Sequence, residues 1–275
     1  MSNKKALREI NEAVRYLQKQ YKHKPEVGVV LGSGLGNFSN EIEVEKEIPY
    51  KEIPHFPVST VEGHKSKLIF GRLSGKRVIA MAGRFHFYEG YDAQEVTFPI
   101  RVMKLLGVET LLLSNASGCV NPGYKVGDVM IITDHISLFT PNPLIGKNID
   151  ELGPRFPDMS EPYSKELIAR AKEIGDRHQY DLKEGVYVAV TGPTFETRAE
   201  YKMIRTLGAD VVGMSTVQEA IVAAHMGMKI FAISVITDIG LREDGLITTH
   251  EEVLEAARLA EPKLATVFKE LAAAI

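Results

Sequence analysis

The amino end of the chain carries a helical pattern of apolar positions. Apolar side chains recur at alternating steps of three and four, at Leu7, Ile10, Val14, Leu17 and Tyr21. On a helix these steps place all five side chains on one face. The pattern therefore predicts an amphipathic helix that packs one apolar stripe against a core, as part of an outer layer.

Farther along, short apolar runs rich in β-branched residues alternate with helical stretches. The runs are residues 27–31, 78–82, 110–114, 129–133, 186–191 and 230–237. The helical stretches are residues 94–106, 165–177, 198–207 and 217–226. Short apolar runs are typical of buried strands, and their alternation with helices indicates a mainly parallel sheet covered on both faces. We expect a single α/β domain over residues 1–275, with a central mixed, mainly parallel β-sheet flanked by helices.

Two features stand out near the end and in the middle of the chain. Thr249 and Glu252 have the spacing of a capping box, which predicts the start of a last helix. Pro262 lies inside that helix, so we expect a kink or a division there. Residues 140–163 are rich in Pro, Gly and Asn, and long irregular segments in compact domains are often functional.

The composition and charge of the chain limit the classes of ligand that it is expected to bind. Lys and Arg number 33 against 36 Asp and Glu, for a net charge of -3, which gives no basic excess for nucleic acid or an anionic lipid surface. We therefore expect small-molecule ligands. The single cysteine excludes an internal disulfide and fits the reducing cytoplasm. The charged first twenty residues predict no export signal, and no stretch is apolar enough to span a membrane.

Ligands of α/β sheets bind beyond the carboxyl ends of strands, and the first predicted strand runs into a glycine-rich loop. Residues 32–36 read GSGLG, so backbone N–H groups and the Ser33 hydroxyl could meet an anion. The loop does not match a dinucleotide-binding fingerprint, which requires glycine at position 37, where this chain has Asn37. It does not match a P-loop either, because no Gly-Lys-Ser/Thr ending follows. An anion site and a plain tight turn both remain open.

The next strand end concentrates polar side chains. If residues 83–90 are extended, Arg84, His86 and Tyr88 share one face, offering a guanidinium, an imidazole and a phenol together. A solvated edge strand is the alternative. Residues 114–118 (SNASG) follow another strand and would supply backbone donors or form a turn.

Two later strand ends offer further candidate ligand-binding residues. Phe195 and Glu196 precede a helix expected to be capped by Thr197, and could stack on and hydrogen bond to a heterocycle. A core phenylalanine and a solvated glutamate are the alternative. Ser215 or Thr216 is expected to cap the next helix, whose amino end would also attract an anion.

Asp238 ends the last strand, and His250 opens the last helix. Taken alone, a histidine in such a position is usually a surface residue.

Together these segments resemble the trimeric purine nucleoside phosphorylases. Six blocks occur in the order typical of that family between residues 32 and 253. They are GSGLG (32–36), GRFH (83–86), YEGY (88–91), GPTFET (192–197), GMSTV (213–217) and HEEV (250–253). The resemblance implies a nucleoside phosphorylase fold and phosphorolysis of purine nucleosides to free base and (deoxy)ribose 1-phosphate.

The resemblance also implies roles for individual residues. Phosphate would contact Ser33, His64, Arg84, His86, the Ala116 N–H and Ser215. The ribose would contact Tyr88, Met214 and His250, and the purine Phe195, Glu196, Val212 and Asp238. His86, Glu196 and Asp238 would carry the catalysis. Phe156 would enter a neighbouring subunit's ribose site, which implies a homotrimer. Inorganic phosphate would be a substrate, and neither a metal nor an organic cofactor is expected.

One position departs from the family pattern. Members that favour 6-oxopurines usually have asparagine where this chain has Asp238, and an ionised carboxylate cannot donate a hydrogen bond. Asp238 would have to be protonated, or would accept from a 6-amino group or a protonated N7, as in the related 5'-methylthioadenosine phosphorylases. His250, suited to a 5'-hydroxyl, and Ser33 favour ordinary nucleosides over that alternative.

Overall fold

The computed structural model describes residues 3–58, 65–240 and 249–275. Within them the helices are α1 (Asn3–Gln20), α2 (Ala93–Leu106), α3 (Lys165–His178), α4 (Arg198–Thr206), α5 (Val217–His225) and α6 (His250–Ala274). The strands are β1 (Val27–Val30), β2 (Glu43–Pro49), β3 (Lys67–Leu73), β4 (Lys76–Ala82), β5 (Thr110–Cys119), β6 (Val129–Ile136), β7 (Leu182–Ala189), β8 (Val211–Gly213) and β9 (Lys229–Ile239). Short 3₁₀ helices cover Gly36–Glu41, Tyr50–Glu52 and Phe87–Glu89.

The strands form one mixed sheet in the order β2-β3-β4-β1-β5-β8-β7-β6-β9. Because β5 also pairs with β9, the strands β5, β8, β7, β6 and β9 close on themselves. Parallel pairs join β1 to β4 and β5, β5 to β9, β6 to β7, and β7 to β8. The predicted α/β fold with a mixed, mainly parallel sheet is confirmed.

Helices cover both faces of the sheet, as the alternation of buried residues requires. Leu111 and Leu113 of β5 face one core with residues of α1, α2 and α5, whereas Leu112 faces a second core with residues of α3 and α6. The predicted stripe of α1 is buried at Ile10, Val14 and Leu17. None of the described helices has the length and apolarity of a membrane span.

The last helix is not divided at Pro262. Thr249 and Glu252 do form the capping box, but α6 continues through Pro262 without being divided. Proline removes one backbone hydrogen bond from a helix. Ala260 and Leu264, on either side of Pro262, are both buried in the same core. Both halves of α6 therefore pack on the same core.

β5 lies at the centre of the sheet and is longer than predicted. The segment 114–118, interpreted as a strand end or a turn, is part of the strand, which continues to Cys119. Its partner β8 runs antiparallel and pairs only at Gly118 and Cys119. The chain that leaves β8 therefore returns alongside the middle of β5, which places two polar segments next to each other.

The glycine-rich loop after β1 packs directly on β5. The Gly32 N–H donates to the Ser114 Oγ at 3.2 Å, and that hydroxyl donates to the Val30 carbonyl at 3.1 Å. A Cβ added at Gly32 would lie 2.7 Å from the Asn115 Cα and 2.8 Å from the Ser114 carbonyl oxygen. Only glycine permits this approach, because both neighbours are backbone atoms.

We predict that Gly32→Ala lowers the free energy of unfolding by about 1–3 kcal/mol, the usual cost of overpacking a rigid site. The matched control is Gly36→Ala in the same loop, where an added Cβ meets no atom of the described residues within 4 Å. Urea denaturation of the two variants checks this. Equal stability of the two variants would contradict the packing described for the loop.

Candidate active site

One cavity of about 460 Å³ collects nearly all of the predicted site residues. Those that line it are Ser33, Arg84, His86, Tyr88, Ala116, Phe195, Glu196, Val212, Met214, Ser215, Asp238 and His250. Its wall also includes Glu89, Asn115, Ser117, Gly118 and Thr237. His64 lies outside the described residues. Segments far apart in sequence thus meet around one space, whose lining includes Arg84 in contact with Ser215 and the neighbouring carboxyl groups of Glu196 and Asp238.

Phe156 does not reach this cavity. Its side chain is 87% exposed, and the Arg155 guanidinium lies 5.4 Å from the ring centroid. It lines a separate recess formed by the irregular segment 137–159 together with Ile221. The predicted loop character of residues 140–163 is confirmed, since no helix or strand is assigned there.

A buried ion pair anchors the guanidinium end of the cavity. Arg84 and Glu219 are 1% and 2% exposed, and the Arg84 Nε and Nη2 lie 3.2 and 2.8 Å from the two carboxylate oxygens of Glu219. The Arg84 Nη1 donates to the Ser114 carbonyl at 2.5 Å and to the Ser215 Oγ at 3.3 Å. These contacts use four of the five N–H donors of a guanidinium. One Nη2 N–H has no partner within the described part of the chain.

The segment 84–88 is not extended as expected. Phe87–Glu89 form a 3₁₀ turn, which two contacts of the Glu89 carboxylate stabilise. The carboxylate accepts from the His86 backbone N–H at 2.8 Å and lies 3.0 Å from the His86 ring Nδ1. The turn stacks the His86 and Tyr88 rings with their centroids 4.6 Å apart. Burial lowers the pKa of His86, although Glu89 opposes this shift. Arg84, His86 and Tyr88 still face one cavity, through the turn and not through strand alternation.

The start of α5 departs from ordinary capping. Thr216 occupies the N-cap position, as predicted, but its side chain makes no capping hydrogen bond. Its Oγ1 instead accepts from the Asn115 Nδ2 at 2.9 Å and lies 3.1 Å from the Ser215 Oγ. The expected cap is therefore wrong in its contacts, because the hydroxyl is engaged by β5.

Two carboxyl groups define the opposite end. Burial raises the pKa of Glu196, and the nearby charge of Asp238 raises it further. Asp238 is 4% exposed, and the Thr237 Oγ1 lies 3.1 Å from its Oδ1. The β5–β9 register shifts at Thr237, and a Cβ on Gly118 would lie 2.9 Å from the Asp238 Oδ2. A strand irregularity and a glycine together make room for this carboxyl group.

The remaining wall comes from residues before α4 and at the start of α6. Phe195 is 45% exposed at the cavity, so it is not the core phenylalanine of the alternative interpretation. Thr197 and Glu200 form the predicted capping box of α4. His250 is exposed at the first position of α6 and lines the cavity with Val253.

Sequence reasoning missed the acidic partners of the cationic side chains. Thr216 and Glu219 have the spacing of a capping box, which conceals that Glu219 binds Arg84. Glu89 follows His86 by three residues, and only the turn reveals their contact. The available signal on β5 was its run of polar residues Ser114, Asn115 and Ser117 directly after three leucines. Among the described residues, no cluster of three His, Cys, Asp or Glu side chains has the geometry to hold a metal ion.

Comparison with known proteins agrees with this architecture. A family profile described as the Phosphorylase superfamily matches residues 26–273. Purine nucleoside phosphorylase 1 of Geobacillus stearothermophilus is 52% identical over 248 residues, which cover 90% of each chain. Purine nucleoside phosphorylase 1 of Bacillus subtilis is 48% identical over 266 residues, covering 96% of this chain and 97% of the relative.

Solved structures of purine nucleoside phosphorylases have the same fold as this chain. Isoform 2 of the Schistosoma mansoni purine nucleoside phosphorylase, in complex with cytosine and ribose-1-phosphate, superposes with a TM-score of 0.92 at 42% identity, covering 97% of this chain and 96% of that one. A Schistosoma mansoni enzyme in complex with adenosine gives a TM-score of 0.91 at 41% identity, covering 96% of each chain. By fold, by sequence and by the match over residues 26–273, the chain belongs to the purine nucleoside phosphorylase family.

Proposed function

We propose that the protein catalyses the reversible phosphorolysis of purine nucleosides, giving free purine and ribose 1-phosphate. The observation that carries this proposal is a single cavity with Arg84 and Ser215 at one end and the carboxyl groups of Glu196 and Asp238 at the other. An anion fits the first end and the N–H groups of a purine fit the second. The complexes of relatives with ribose-1-phosphate and with adenosine support this assignment.

Phosphate would occupy the end that carries hydroxyl, amide and guanidinium donors. Ser33, Ala116 and Ser215 line this end, with the Arg84 guanidinium beside Ser215. Charge-assisted hydrogen bonds of this kind are shorter and stronger than neutral ones. The expected contribution of His64 also belongs to this end.

His86 would act in its neutral form. Burial lowers its pKa, and the Glu89 carboxylate 3.0 Å from Nδ1 holds the ring proton on that nitrogen. The Nε2 is then an acceptor and would accept a hydrogen bond from the hydroxyl of a hydrogen phosphate ion, which keeps its proton. His86 would thereby orient phosphate with an unprotonated oxygen towards the sugar.

Cleavage would proceed by positioning and electrostatics. As the glycosidic bond lengthens, the ribose gains positive charge and the purine negative charge, so the bound phosphate stabilises the sugar and then attacks its anomeric carbon. The Glu196 carboxylate would accept a hydrogen bond from a purine N–H. Asp238 would contact N7 or the substituent at position 6 of the purine. This chemistry uses phosphate as the nucleophile and needs neither a metal ion nor an organic cofactor.

The sugar would lie between the two ends. Tyr88 and Met214 line the middle of the cavity, and His250 offers an imidazole for a 5'-hydroxyl. Phe195 and Val212 would flank the purine. A hydrogen-bonding imidazole suits an ordinary nucleoside better than the 5'-thioether of methylthioadenosine.

We further propose a homotrimer in which Phe156 completes a neighbour's ribose site. The 87% exposure of this ring on a long irregular segment supports an inter-subunit role, because a large apolar side chain gains by being covered.

A cytoplasmic location is supported by the single, buried Cys119, whose pKa burial raises to about 11. Recovery of purines from nucleosides is the cellular role that such a reaction would serve.

The function is tested by measuring free base released from inosine, guanosine, adenosine and methylthioadenosine, each with and without phosphate. We expect ordinary purine nucleosides to release free base only when phosphate is present. This phosphate-dependent activity should remain after the enzyme is dialysed against EDTA. Reaction of methylthioadenosine alone would favour the thioether-specific alternative. Absence of phosphate-dependent release from every substrate would overturn the proposal.

We predict that Asp238→Asn raises the kcat/KM ratio of inosine to adenosine at least about tenfold, since an amide can donate to a 6-oxo group and an ionised carboxylate cannot. Steady-state kinetics with both nucleosides checks this. Asp134→Asn, an exposed aspartate on β6, is the matched control and should leave the ratio unchanged. A ratio unaffected by Asp238→Asn would remove this residue from purine selection.

We predict an acid limb in the pH profile of kcat/KM for inosine. The carboxylate form of Glu196 accepts the purine N–H, so activity falls as pH falls through its pKa. Because burial raises that pKa above its ordinary value of 4.5, the limb begins at higher pH than for an exposed glutamate. Glu196→Gln should lower activity and remove the contribution of Glu196 to the limb, so that only protonation of His86 remains, whereas Glu200→Gln should leave the limb as in wild type. An unchanged limb in Glu196→Gln would contradict the assignment.

For Phe156→Ala we predict an unchanged trimer mass by light scattering and a kcat/KM reduced about tenfold or more, because the sugar loses a positioning wall. Co-expression with Glu196→Gln should restore activity, since a mixed trimer contains intact sites that receive Phe156 from the other variant. A monomeric mass, or no recovery in the mixture, would argue against a shared site.

A further inference from the structure

Asn115 lies on the central strand β5, in the wall of the cavity beside the proposed phosphate end. It is 1% exposed, and its register partner on β9 is Ser234. Its Oδ1 accepts from the Ser234 Oγ at 2.6 Å, and its Nδ2 donates to the Thr216 Oγ1 at 2.9 Å. The Ser234 Oγ also lies 2.6 Å from the Ser117 Oγ. A continuous row of buried polar groups thus crosses the interior between the two ends of the site.

The directions of these hydrogen bonds follow from the chemistry of each group. An amide NH₂ only donates, so the Thr216 Oγ1 accepts from Asn115 with one of its two lone pairs. When Thr216 directs its own proton to the Ser215 Oγ, 3.1 Å away, every group in the row donates towards the cavity. The Arg84 Nη1 also donates to the Ser215 Oγ, at 3.3 Å. Two donors fill the two lone pairs of that hydroxyl. The proton of Ser215 is therefore left for an acceptor in the cavity, as a phosphate oxygen would be.

The backbone at the same place supports a functional role for this arrangement. Thr216 has φ +71° and ψ −50°, and the Val217 N–H donates to the Ser215 carbonyl at 2.8 Å. This is the strained form of γ-turn, which is rare and especially unfavourable for a β-branched residue. Strain of this kind persists where surrounding contacts hold it, and it clusters at functional sites. The Asn115 amide is the side-chain contact that holds the Thr216 hydroxyl.

We propose that Asn115 is a positioning residue that acts through Thr216 to make Ser215 a hydrogen-bond donor to phosphate. This inference rests on the proposed function. In this row the Asn115 NH₂ occupies one lone pair of Thr216 and leaves the Thr216 proton for Ser215, and Ser215 then donates outward. An acceptor in place of the NH₂ would reverse the row, so that Thr216 donates to position 115 and Ser215 loses one of its two donors.

The test compares Asn115→Asp, Thr216→Val and Thr216→Ser. The first replaces the donating NH₂ by an acceptor of nearly the same shape, and the second removes the hydroxyl but keeps the β-branch. Both are expected to raise the KM for phosphate about tenfold or more while the KM for inosine changes less than about twofold. Thr216→Ser keeps the hydroxyl and should retain most of the phosphate affinity that Thr216→Val loses.

A double-mutant cycle gives the second readout. Because the row acts through Ser215, adding Thr216→Val to Ser215→Ala should raise the phosphate KM little beyond Ser215→Ala alone. Calorimetric titration of each variant with inorganic phosphate measures the same loss without turnover, and thermal unfolding excludes a collapsed fold. Asn115→Asp and Thr216→Val with a phosphate affinity equal to wild type, or with equal losses for both substrates, would overturn the inference. Failure of the proposed function would differ, since wild type itself would show no phosphate-dependent turnover.

Discussion

Arg84 brings a full positive charge to a position that is 1% exposed, and the site depends on how that charge is held. An isolated guanidinium would be very costly in such a place, because burial removes its hydration. Glu219 compensates for this with both carboxylate oxygens, and the Ser114 carbonyl accepts a further N–H. The guanidinium is thereby fixed in one orientation, between the segment after β4 and the first turn of α5.

The same constraint explains why the sheet interior is polar here. With Glu219 and Ser114 engaged by Arg84, the neighbouring hydroxyl and amide groups must satisfy one another in the absence of water. Asn115, Ser117 and Ser234 do so across β5 and β9. A fully satisfied buried network is rigid and specifies one arrangement. The proposed phosphate end is thus pre-organised, whereas at the proposed base end burial, and secondarily the charge of Asp238, raises the pKa of Glu196.

The sequence predicted the layers better than the contacts between them. Apolar periodicity located the six helices and six of the strands, because burial on a helix face or in a sheet interior leaves a strong pattern. It missed three strands of the described residues: β2, whose residues are mostly charged and exposed, β3, whose apolar run is interrupted by Gly71 and Arg72, and β8, which has only three residues. It also placed residues 114–118 outside β5, because small polar residues in a strand resemble a turn.

Most of the candidate site was predictable once motifs were considered in order, since Ser33, Arg84, Ser215 and Glu196 each follow a strand. The positions of Glu219 and Asn115 were not predictable in the same way. Glu219 has the spacing of a helix cap, and the antiparallel return of the chain after β8 that brings Thr216 to Asn115 cannot be inferred from local pattern. These contacts depend on the closure of β5 with both β8 and β9.

The central claim is that one cavity holds phosphate and purine at opposite ends, and a crystal structure with inosine and sulfate tests it most directly. The account predicts sulfate oxygens within hydrogen-bond distance of the Ser33 and Ser215 hydroxyls, with the hypoxanthine ring against Glu196 and the ribose between them. Sulfate bound away from Arg84, or a base seated at the serine end, would contradict it.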